Sequence, residues 1–250
     1  MTARMPHRAP DGAKHWTGAR AALGHCLLKT GLGDETGLVA MEGDRLVIAA
    51  NARLDCRQEL LAALGERDGS LSDAALIVRS YQRWGEACTE RLLGDFAFAI
   101  WDEARQVLFC ARDHFGVMPF YYSLRGARFA FASEISPIFS LEGCDRILNE
   151  DYISGFLAGV PDPSQSSAYL DVFRLPAGNS LITDGIRVQV RSYWRLEPSQ
   201  PYAGRDAPEA LRDLFETAVR NRLRGTTNAG AMLSGGLDSS SICCVARRLG

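Results

Sequence analysis

The chain has 250 residues, of which 46% are hydrophobic, and its formal charge at pH 7 is −2. This length predicts one large domain or two smaller ones, with enough apolar residues for buried cores. The near-neutral charge gives no reason to expect nucleic acid or an anionic membrane as a partner. No apolar run is long enough to cross a bilayer, and the first residues lack the apolar centre of a signal peptide, so we expect a cytoplasmic protein.

Cysteine and histidine give no sign of a disulfide framework or a metal centre. The seven cysteines are scattered and form no CxxC pair. Most of them lie in apolar surroundings, so we interpret them as buried thiols. His7, His15 and His25 are far from any carboxylate cluster with metal spacing, which argues against a zinc site.

The first part of the chain predicts a loop, strands and two helices. In chain order these are a loop over 1–14, a strand over 19–28, a hairpin with strands over 38–41 and 45–50, and helices over 56–64 and 71–85. The turn Glu42-Gly43-Asp44 joins the strands of the hairpin. We expect Gly65 to end the first helix and Ser72 to be the N-cap of the second.

From Leu92 onward the hydrophobic period changes from that of a helix to that of a strand. Apolar runs bounded by Asp, Gly or Arg turns predict an antiparallel meander, with strands over 94–102, 107–113, 120–122 and 128–132. We expect this sheet to lie between layers of helices. The elements predicted next are a short helix over 136–141, a helix over 150–157, a proline-containing loop over 159–167, and strands over 171–175, 179–183 and 187–194 that complete the sheet.

The last part of the chain predicts the start of a second domain. Its predicted parts are a linker over 197–207, a helix over 208–223, a short buried strand ending at Leu233, a tight turn over 234–236 and a helix over 239–248. Ile242, Val245 and Leu249 would share one face of the final helix. A lone strand and helix cannot bury their faces, so we expect the chain to be a fragment of a longer one.

The run Ser234-Gly235-Gly236-Leu237-Asp238-Ser239-Ser240 carries the strongest chemical signal. Adjacent glycines allow positive φ and close approach to the main chain, and the amides at a helix N-terminus hold phosphate oxygens. Asp238 adds a carboxylate suited to Mg²⁺, and Ser239 adds a hydroxyl suited to phosphate. No Gly-Lys-Ser/Thr follows, which excludes the Walker loop. The run resembles instead the SGGxDS loop of the ATP pyrophosphatase superfamily, whose members cleave ATP to AMP and pyrophosphate while activating a carboxylate.

Several motifs occur together with this loop, over 94–102, 111–122, 132–134 and 193–194. In this order and spacing they closely resemble glutamine-hydrolysing asparagine synthetases, whose relatives include β-lactam and lasso-peptide macrolactam synthetases. The resemblance runs from about Pro6 to Gly250. It implies an α+β fold, with an αββα sandwich like that of N-terminal-nucleophile hydrolases over 1–196. This glutamine amidotransferase type 2-like domain would precede the beginning of an α/β ATP-pyrophosphatase (PP-loop) domain over 208–250.

The resemblance also shows departures in the glutamine site. The family begins Met-Cys-Gly-Ile and uses that cysteine to attack glutamine, whereas this sequence begins Met1-Thr2-Ala3. We therefore expect the nucleophile to be absent and assign no catalytic residue. Asn51 and Asp73 match residues of the family's glutamine site. Asn51-Ala52-Arg53 stands where the family has Asn-Gly-Glu, so Ala52 replaces a glycine. Arg53 places a repulsive cation where the family's glutamate binds the glutamine amine. Leu27 replaces the arginine that grips the glutamine α-carboxylate, so an inactive glutaminase is implied.

In the second domain, the resemblance implies a site for ATP and Mg²⁺. Leu233 would border the adenine, Ser234, Gly235 and Gly236 would hold the pyrophosphate, Asp238 would help to place Mg²⁺, and Ser239 would bond a phosphate oxygen. The family's catalytic lysine lies beyond Gly250.

The function implied is that of an asparagine synthase-like amide ligase, in asparagine biosynthesis, that adenylates a small-molecule or peptide carboxylate. One alternative is a macrolactam synthetase of the lasso-peptide or β-lactam type, in which the substrate itself supplies the amine. Another is a non-catalytic remnant or docking module. The sequence leaves a homodimer open.

Overall fold

The computed structural model describes residues 1–29, 37–41, 43, 45–160, 165–197, 204, 206–225 and 228–250. The described residues form two compact units, one within 1–195 and the other within 196–250. Glu42 and Asp44 of the predicted hairpin turn, part of the proline-containing loop and most of the predicted linker lie outside the described residues. No helix in the described ranges is long and apolar enough to span a membrane.

The strands of the first unit are β1 Ala13–Thr17, β2 Ala22–Cys26, β3 Leu38–Met41, β4 Leu46–Leu54, β5 Gly94–Asp102, β6 Val107–Arg112, β7 Tyr121–Arg125, β8 Arg128–Ala132, β9 Phe173–Arg174, β10 Asn179–Thr183 and β11 Val188–Ser192. Its α-helices are α1 Arg57–Leu64, α2 Asp73–Trp84 and α3 Glu150–Leu157, and short 3-10 helices cover Thr2–Arg4, Pro6–Arg8, Gly85–Arg91 and Ile138–Ser140. The second unit contains α4 Ala207–Leu223 and α5 Leu237–Leu249.

Side-chain caps fix where several helices begin. The Ser72 hydroxyl accepts a hydrogen bond of 3.2 Å from the Ala75 amide at the start of α2. Asn149 caps α3 and Asp206 caps α4 in the same way. Each side chain satisfies one of the amides that the first turn of a helix leaves unpaired. The N-cap prediction for Ser72 and the predicted helices over 56–64, 71–85, 150–157 and 208–223 are therefore confirmed within one or two residues.

The central layer of the first unit is an antiparallel sheet in the order β11-β10-β6-β5-β4-β3. Strand side chains alternate between its two faces. On one face, Ile48 of β4 and Phe98 of β5 pack with Leu76 and Ile77 of α2. The sheet is thus covered by α1 and α2 on that side.

A smaller sheet, in the order β8-β7-β9, covers the other face of the large one. Val47 and Ala99 of the large sheet share a buried cluster with Tyr122 of β7 and with Phe120. The outer face of the small sheet packs against Ile138 of a 3-10 helix, and Ala132 and Val172 complete that cluster. Helices, two facing sheets and a short outer helical turn therefore form successive layers, and the predicted α+β class is confirmed.

Two of the predicted sheet assignments are wrong. The strands over 94–132 do not form one meander, because β6 pairs with β5 and β10 while β7 begins the second sheet. The predicted strand over 171–175 forms only β9, which pairs with β7 rather than completing the large sheet. The predicted N-terminal loop also overlaps the first two residues of β1, which pairs with β2. Periodicity predicts a strand but not its partner, and β1 is mostly exposed, so it lacks the apolar alternation that marks a strand.

The chain crosses between the sheets at Arg112 and Asp113, inside one of the motifs singled out in the sequence. The Arg112 guanidinium donates to the carbonyl oxygens of Gly116 at 2.5 Å, Met118 at 2.6 Å and Leu175 at 2.8 Å. The Asp113 carboxylate is 1% exposed and accepts hydrogen bonds from the amides of Phe115, Val117 and Met118 at 2.9 to 3.1 Å. Buried main-chain groups need such partners, so both side chains stabilise the crossing turn.

In the second unit, the predicted buried strand ending at Leu233 is wrong. Residues 230–234 form no strand, and the side chains of Met232 and Leu233 are 96% and 64% exposed. A strand needs a hydrogen-bonded neighbour, and the described part of this unit provides none. The two helices pack on each other, and Arg248 of α5 forms an ion pair with Glu216 of α4.

Candidate functional site

The glycine turn predicted from the sequence is present at the start of α5. Gly235 has φ +84, which only glycine adopts without strain, and Gly236 is the N-cap residue with φ −79. An added Cβ atom at Gly235 would meet nothing within 4 Å, so the main chain there is open to an approaching group. The turn therefore presents exposed backbone at the N-terminus of a helix, where the helix dipole favours an anion.

Two serine hydroxyls close this loop. The Ser239 hydroxyl accepts a hydrogen bond of 3.3 Å from the Ser234 amide, and the two hydroxyl oxygens lie 2.9 Å apart. Ser240 donates from its hydroxyl to the Gly236 carbonyl oxygen at 2.8 Å, as expected inside a first helical turn. The structure thus brings Ser234 and Ser239 together. A phosphate oxygen bound here would replace the hydrogen bonds that these two residues make with each other.

The remaining residues predicted for this site are also at the loop but differ in surroundings. Asp238 lies in the first turn of α5 and is exposed, so its carboxylate is accessible to a hydrated cation such as Mg²⁺. Leu233, expected to border an adenine ring, is exposed. Hydroxyls, open amides and a carboxylate suit a magnesium-bound polyphosphate chemically.

The predicted remnant of a glutamine site lies at the end of β4 and the start of α2. Asn51 and Arg53 lie two residues apart on β4, so they share the sheet face that Val47 and Ala49 bury against the small sheet. In the register of the sheet, Asn51 is opposite Ala97 and Arg53 is opposite Asp95. A cationic side chain therefore projects from this face next to Asn51.

Asp73 is the first residue of α2, and its carboxylate is already engaged. One oxygen, Oδ2, accepts a hydrogen bond of 2.9 Å from the Leu54 amide. The other, Oδ1, accepts from the Arg57 guanidinium, and the two side chains are 16% and 12% exposed. Sequence reasoning missed Arg57. The signal for it in the sequence is weak: an arginine begins one predicted helix, and an aspartate lies at the start of the next.

Leu27, which replaces the expected arginine, is a buried apolar residue with 8% exposure. Its amide donates to the Gly12 carbonyl at 2.8 Å and its carbonyl accepts from the Asp11 amide at 3.1 Å, which holds the segment after β2 in place. Position 27 therefore offers no charge to a carboxylate. Burial and the nearby Lys14 lower the pKa of the neighbouring His25, so that histidine is held neutral.

The other motifs have structural roles. Glu134, in the motif over 132–134, accepts from His7 at 2.8 Å and from Arg8, which joins the N-terminal 3-10 helix to the end of β8. His114 lies edge-on to Tyr193 and Trp194 at centroid distances of 5.5 and 5.2 Å.

The interpretation of the cysteines as buried thiols holds only in part. Cys88 and Cys110 are buried, and burial raises the pKa of Cys88 to about 12. Cys26, Cys56, Cys144 and Cys243 are partly exposed and Cys244 is exposed, although all seven are free. A hydrophobic neighbour in sequence does not bury a residue on the outer side of a helix. No group of His, Cys, Asp and Glu within the described ranges is arranged to hold a metal ion by itself.

The layered α+β fold agrees with one class of protein. Residues 1–194 match the family described as a glutamine amidotransferase domain, and the chain belongs to that family. Residues 210–250 match the asparagine synthase family. The resemblance to glutamine-hydrolysing asparagine synthetases is thereby confirmed.

Similar curated proteins carry corresponding names. Asparagine synthetase [glutamine-hydrolyzing] 3 of Bacillus subtilis is 31% identical, and the match covers 98% of this chain and 41% of that protein. Putative asparagine synthetase [glutamine-hydrolyzing] 2 of Methanocaldococcus jannaschii is 32% identical, covering 81% of this chain and 40% of that one. The chain thus spans about two fifths of the length of these relatives. Among solved structures, glutamine phosphoribosylpyrophosphate amidotransferase from B. subtilis is 16% identical with a TM-score of 0.47, covering 91% of this chain and 50% of that one.

Proposed function

We propose that the chain is part of an ATP-dependent amide ligase of the asparagine synthetase type, which adenylates a carboxylate and joins it to an amine. The observation that supports this most is the loop over 234–239, in which a positive-φ glycine and two facing hydroxyls lie at the start of α5. The match of residues 210–250 to asparagine synthase supports the same proposal.

In this proposal, the chain binds ATP together with Mg²⁺, and the bound ATP activates the carboxylate. The amides at Gly235 and Gly236 and the hydroxyls of Ser234 and Ser239 hold the pyrophosphate part. Asp238, exposed in the first turn of α5, holds the hydrated Mg²⁺. Leu233 contacts the adenine, which its exposed side chain allows without displacing any packed group.

We further propose that the first unit does not hydrolyse glutamine. Arg53 presents a positive charge to the α-ammonium group of glutamine, which is repulsive. The buried Leu27 presents no charge to the α-carboxylate. Asp73 is engaged by Arg57, which leaves less of its carboxylate for an amine. A ligase without its own ammonia source needs an amine from elsewhere.

A second candidate is therefore a macrolactam synthetase, in which one substrate contains both the carboxylate and the amine. The cations at positions 53 and 57 favour this candidate, because ring closure uses no free ammonia. Both candidates share the ATP loop, and they differ in substrate.

Binding of ATP with Mg²⁺, measured by isothermal titration calorimetry on the full chain, tests the common proposal. Ser239→Ala should weaken binding by at least about tenfold, because a hydrogen bond to a charged phosphate oxygen is worth about 1.5 to 3 kcal/mol. Ser240→Ala is the matched control, since its hydroxyl bonds only within the helix turn, and it should bind as the unchanged chain does. Equal affinities for both variants, or no binding by the unchanged chain, would refute the loop assignment and favour a docking module.

ATP–pyrophosphate exchange separates the two candidates in the protein that carries this chain. Exchange that depends on aspartate supports an asparagine synthetase. Exchange that depends on a peptide with a side-chain carboxylate, and not on aspartate, supports ring closure.

A further inference from the structure

Arg57 is the first residue of α1, and its guanidinium contacts acceptors from the segment that leads into α2. One nitrogen, Nη1, donates to Asp73 Oδ1. The other, Nη2, donates to the main-chain oxygen of Leu71, with that of Gly69 at 3.4 Å. Both Nη1 and Nη2 of the Arg57 guanidinium therefore have acceptors, and these bonds fix the orientation of the side chain.

The Asp73 carboxylate is correspondingly satisfied from two sides. The Leu54 amide reaches Oδ2 at 2.9 Å from the end of β4, and Arg57 reaches Oδ1. Both charged side chains are largely removed from solvent, at 12% and 16% exposure. Two charges paired in this environment are far harder to separate than a surface pair.

We infer that Arg57 is an internal cation that occupies Asp73 and excludes an α-ammonium group, such as that of glutamine, from this carboxylate. The inference rests on the proposed function, in which Asp73 is the remnant of an amine-binding residue. An incoming ammonium would have to displace the guanidinium from its acceptors or lie beside it as a like charge in a partly buried place. In either case the ion pair with Arg57 disfavours an ammonium group at Asp73.

This role differs from that of Arg53, which lies on β4 opposite Asp95 of β5. Arg53 replaces a carboxylate, whereas Arg57 neutralises one that is still present. Reversing the substitutions at positions 27, 52 and 53 would therefore not restore an amine site, because Asp73 would remain occupied.

The experiment uses the full chain and L-glutamine as the probe in isothermal titration calorimetry. The reference variant carries Leu27→Arg, Ala52→Gly and Arg53→Glu, and it keeps Arg57. Adding Arg57→Ala to it should tighten glutamine binding by at least about tenfold, since a charge-assisted contact to Asp73 becomes available. Adding Arg57→Lys retains a cation and should leave binding as weak as in the reference variant.

Arg79→Ala in the same reference is the matched control. Arg79 forms an ion pair with Glu66 and also projects from α2, so its loss tests for a general loosening of the helix. It should leave glutamine binding unchanged. Far-UV circular dichroism and thermal unfolding of each variant establish that all are folded, and variants that fail are remade with Arg57→Gln.

Tight glutamine binding by the reference variant with Arg57 in place would overturn the role of Arg57, as would absence of binding in the folded Arg57→Ala and Arg57→Gln versions. Neither result bears on ATP binding. Glutamine binding and hydrolysis by the unchanged chain would instead refute the proposed loss of the glutaminase. The two failures are thus distinguishable.

Discussion

The hydroxyl of Tyr193 donates a hydrogen bond of 2.6 Å to the main-chain oxygen of Arg112, which lies 81 residues earlier in the chain. Arg112 ends β6, and Tyr193 directly follows β11. Gly178 supports the same junction, because its amide donates to the Asp113 carbonyl at 2.8 Å and its carbonyl accepts from the Tyr193 amide at 3.0 Å. The end of the large sheet is therefore fixed to the start of the crossing between the sheets.

Tyr193→Phe tests this bond. It removes the hydroxyl and leaves the Arg112 carbonyl without that donor, so the free energy of unfolding should fall by about 1 to 2 kcal/mol. Urea denaturation measures the change. Tyr152→Phe, in α3, which buries no residue, is the control and should alter stability by no more than about 0.5 kcal/mol. Equal effects of the two substitutions would contradict the prediction.

Asp113→Asn should destabilise the first unit more strongly. The amide group keeps one acceptor but places an N–H donor against main-chain donors that now bond a buried carboxylate. The expected loss is about 2 to 3 kcal/mol by urea denaturation. Asp184→Asn changes an exposed carboxylate that also accepts amides in a turn, and a smaller loss is expected there. A loss at position 113 no greater than that at 184 would show that burial adds nothing.

Stability should decrease as the pH falls below about 6.5, the ordinary pKa of histidine. Burial lowers the pKa of His114, opposed by Asp113, and burial with Lys14 lowers that of His25. The unfolded chain therefore binds more protons than the folded one below that value, so acid favours unfolding. His114→Gln should reduce the slope of unfolding free energy against pH. An unchanged slope for His114→Gln would count against the burial argument.

Gly235→Ala and Gly236→Ala should differ although they are neighbours. Alanine at φ +84 is strained and should cost about 1 to 2 kcal/mol, whereas φ −79 at Gly236 accepts a side chain and should change stability by no more than about 0.5 kcal/mol. Thermal unfolding of the two variants measures the difference. Equal losses would show that the positive φ is not what requires glycine.

Local signals in the sequence predicted the helices well. The Ser72 cap, the stop at Gly65 and the spacing of apolar residues all act within one or two turns, so a short window of sequence contains them. Strand positions such as β5 and β10 were also predicted, because alternation and turn residues are local. Which strands pair was not, since the crossing after β6 depends on a contact between Arg112 and Leu175, 63 residues apart.

The candidate site divides in the same way. Glycines and hydroxyls over 234–239 predicted a turn at a helix start, and the turn is present. The preceding strand was wrong, because the exposure of Leu233 depends on neighbours and not on its own hydrophobicity. Arg57 was missed, because nothing local to an arginine at the start of one helix reveals that it will meet the aspartate that begins the next.

The guanidinium of Arg112 reaches carbonyl oxygens 4, 6 and 63 residues later in the chain. The nearer pair can be bonded as soon as the turn forms, while the Leu175 bond requires the ends of a long loop to meet. A change that weakens only the Leu175 contact therefore removes the bond that closes this long loop and leaves the two bonds within the turn in place.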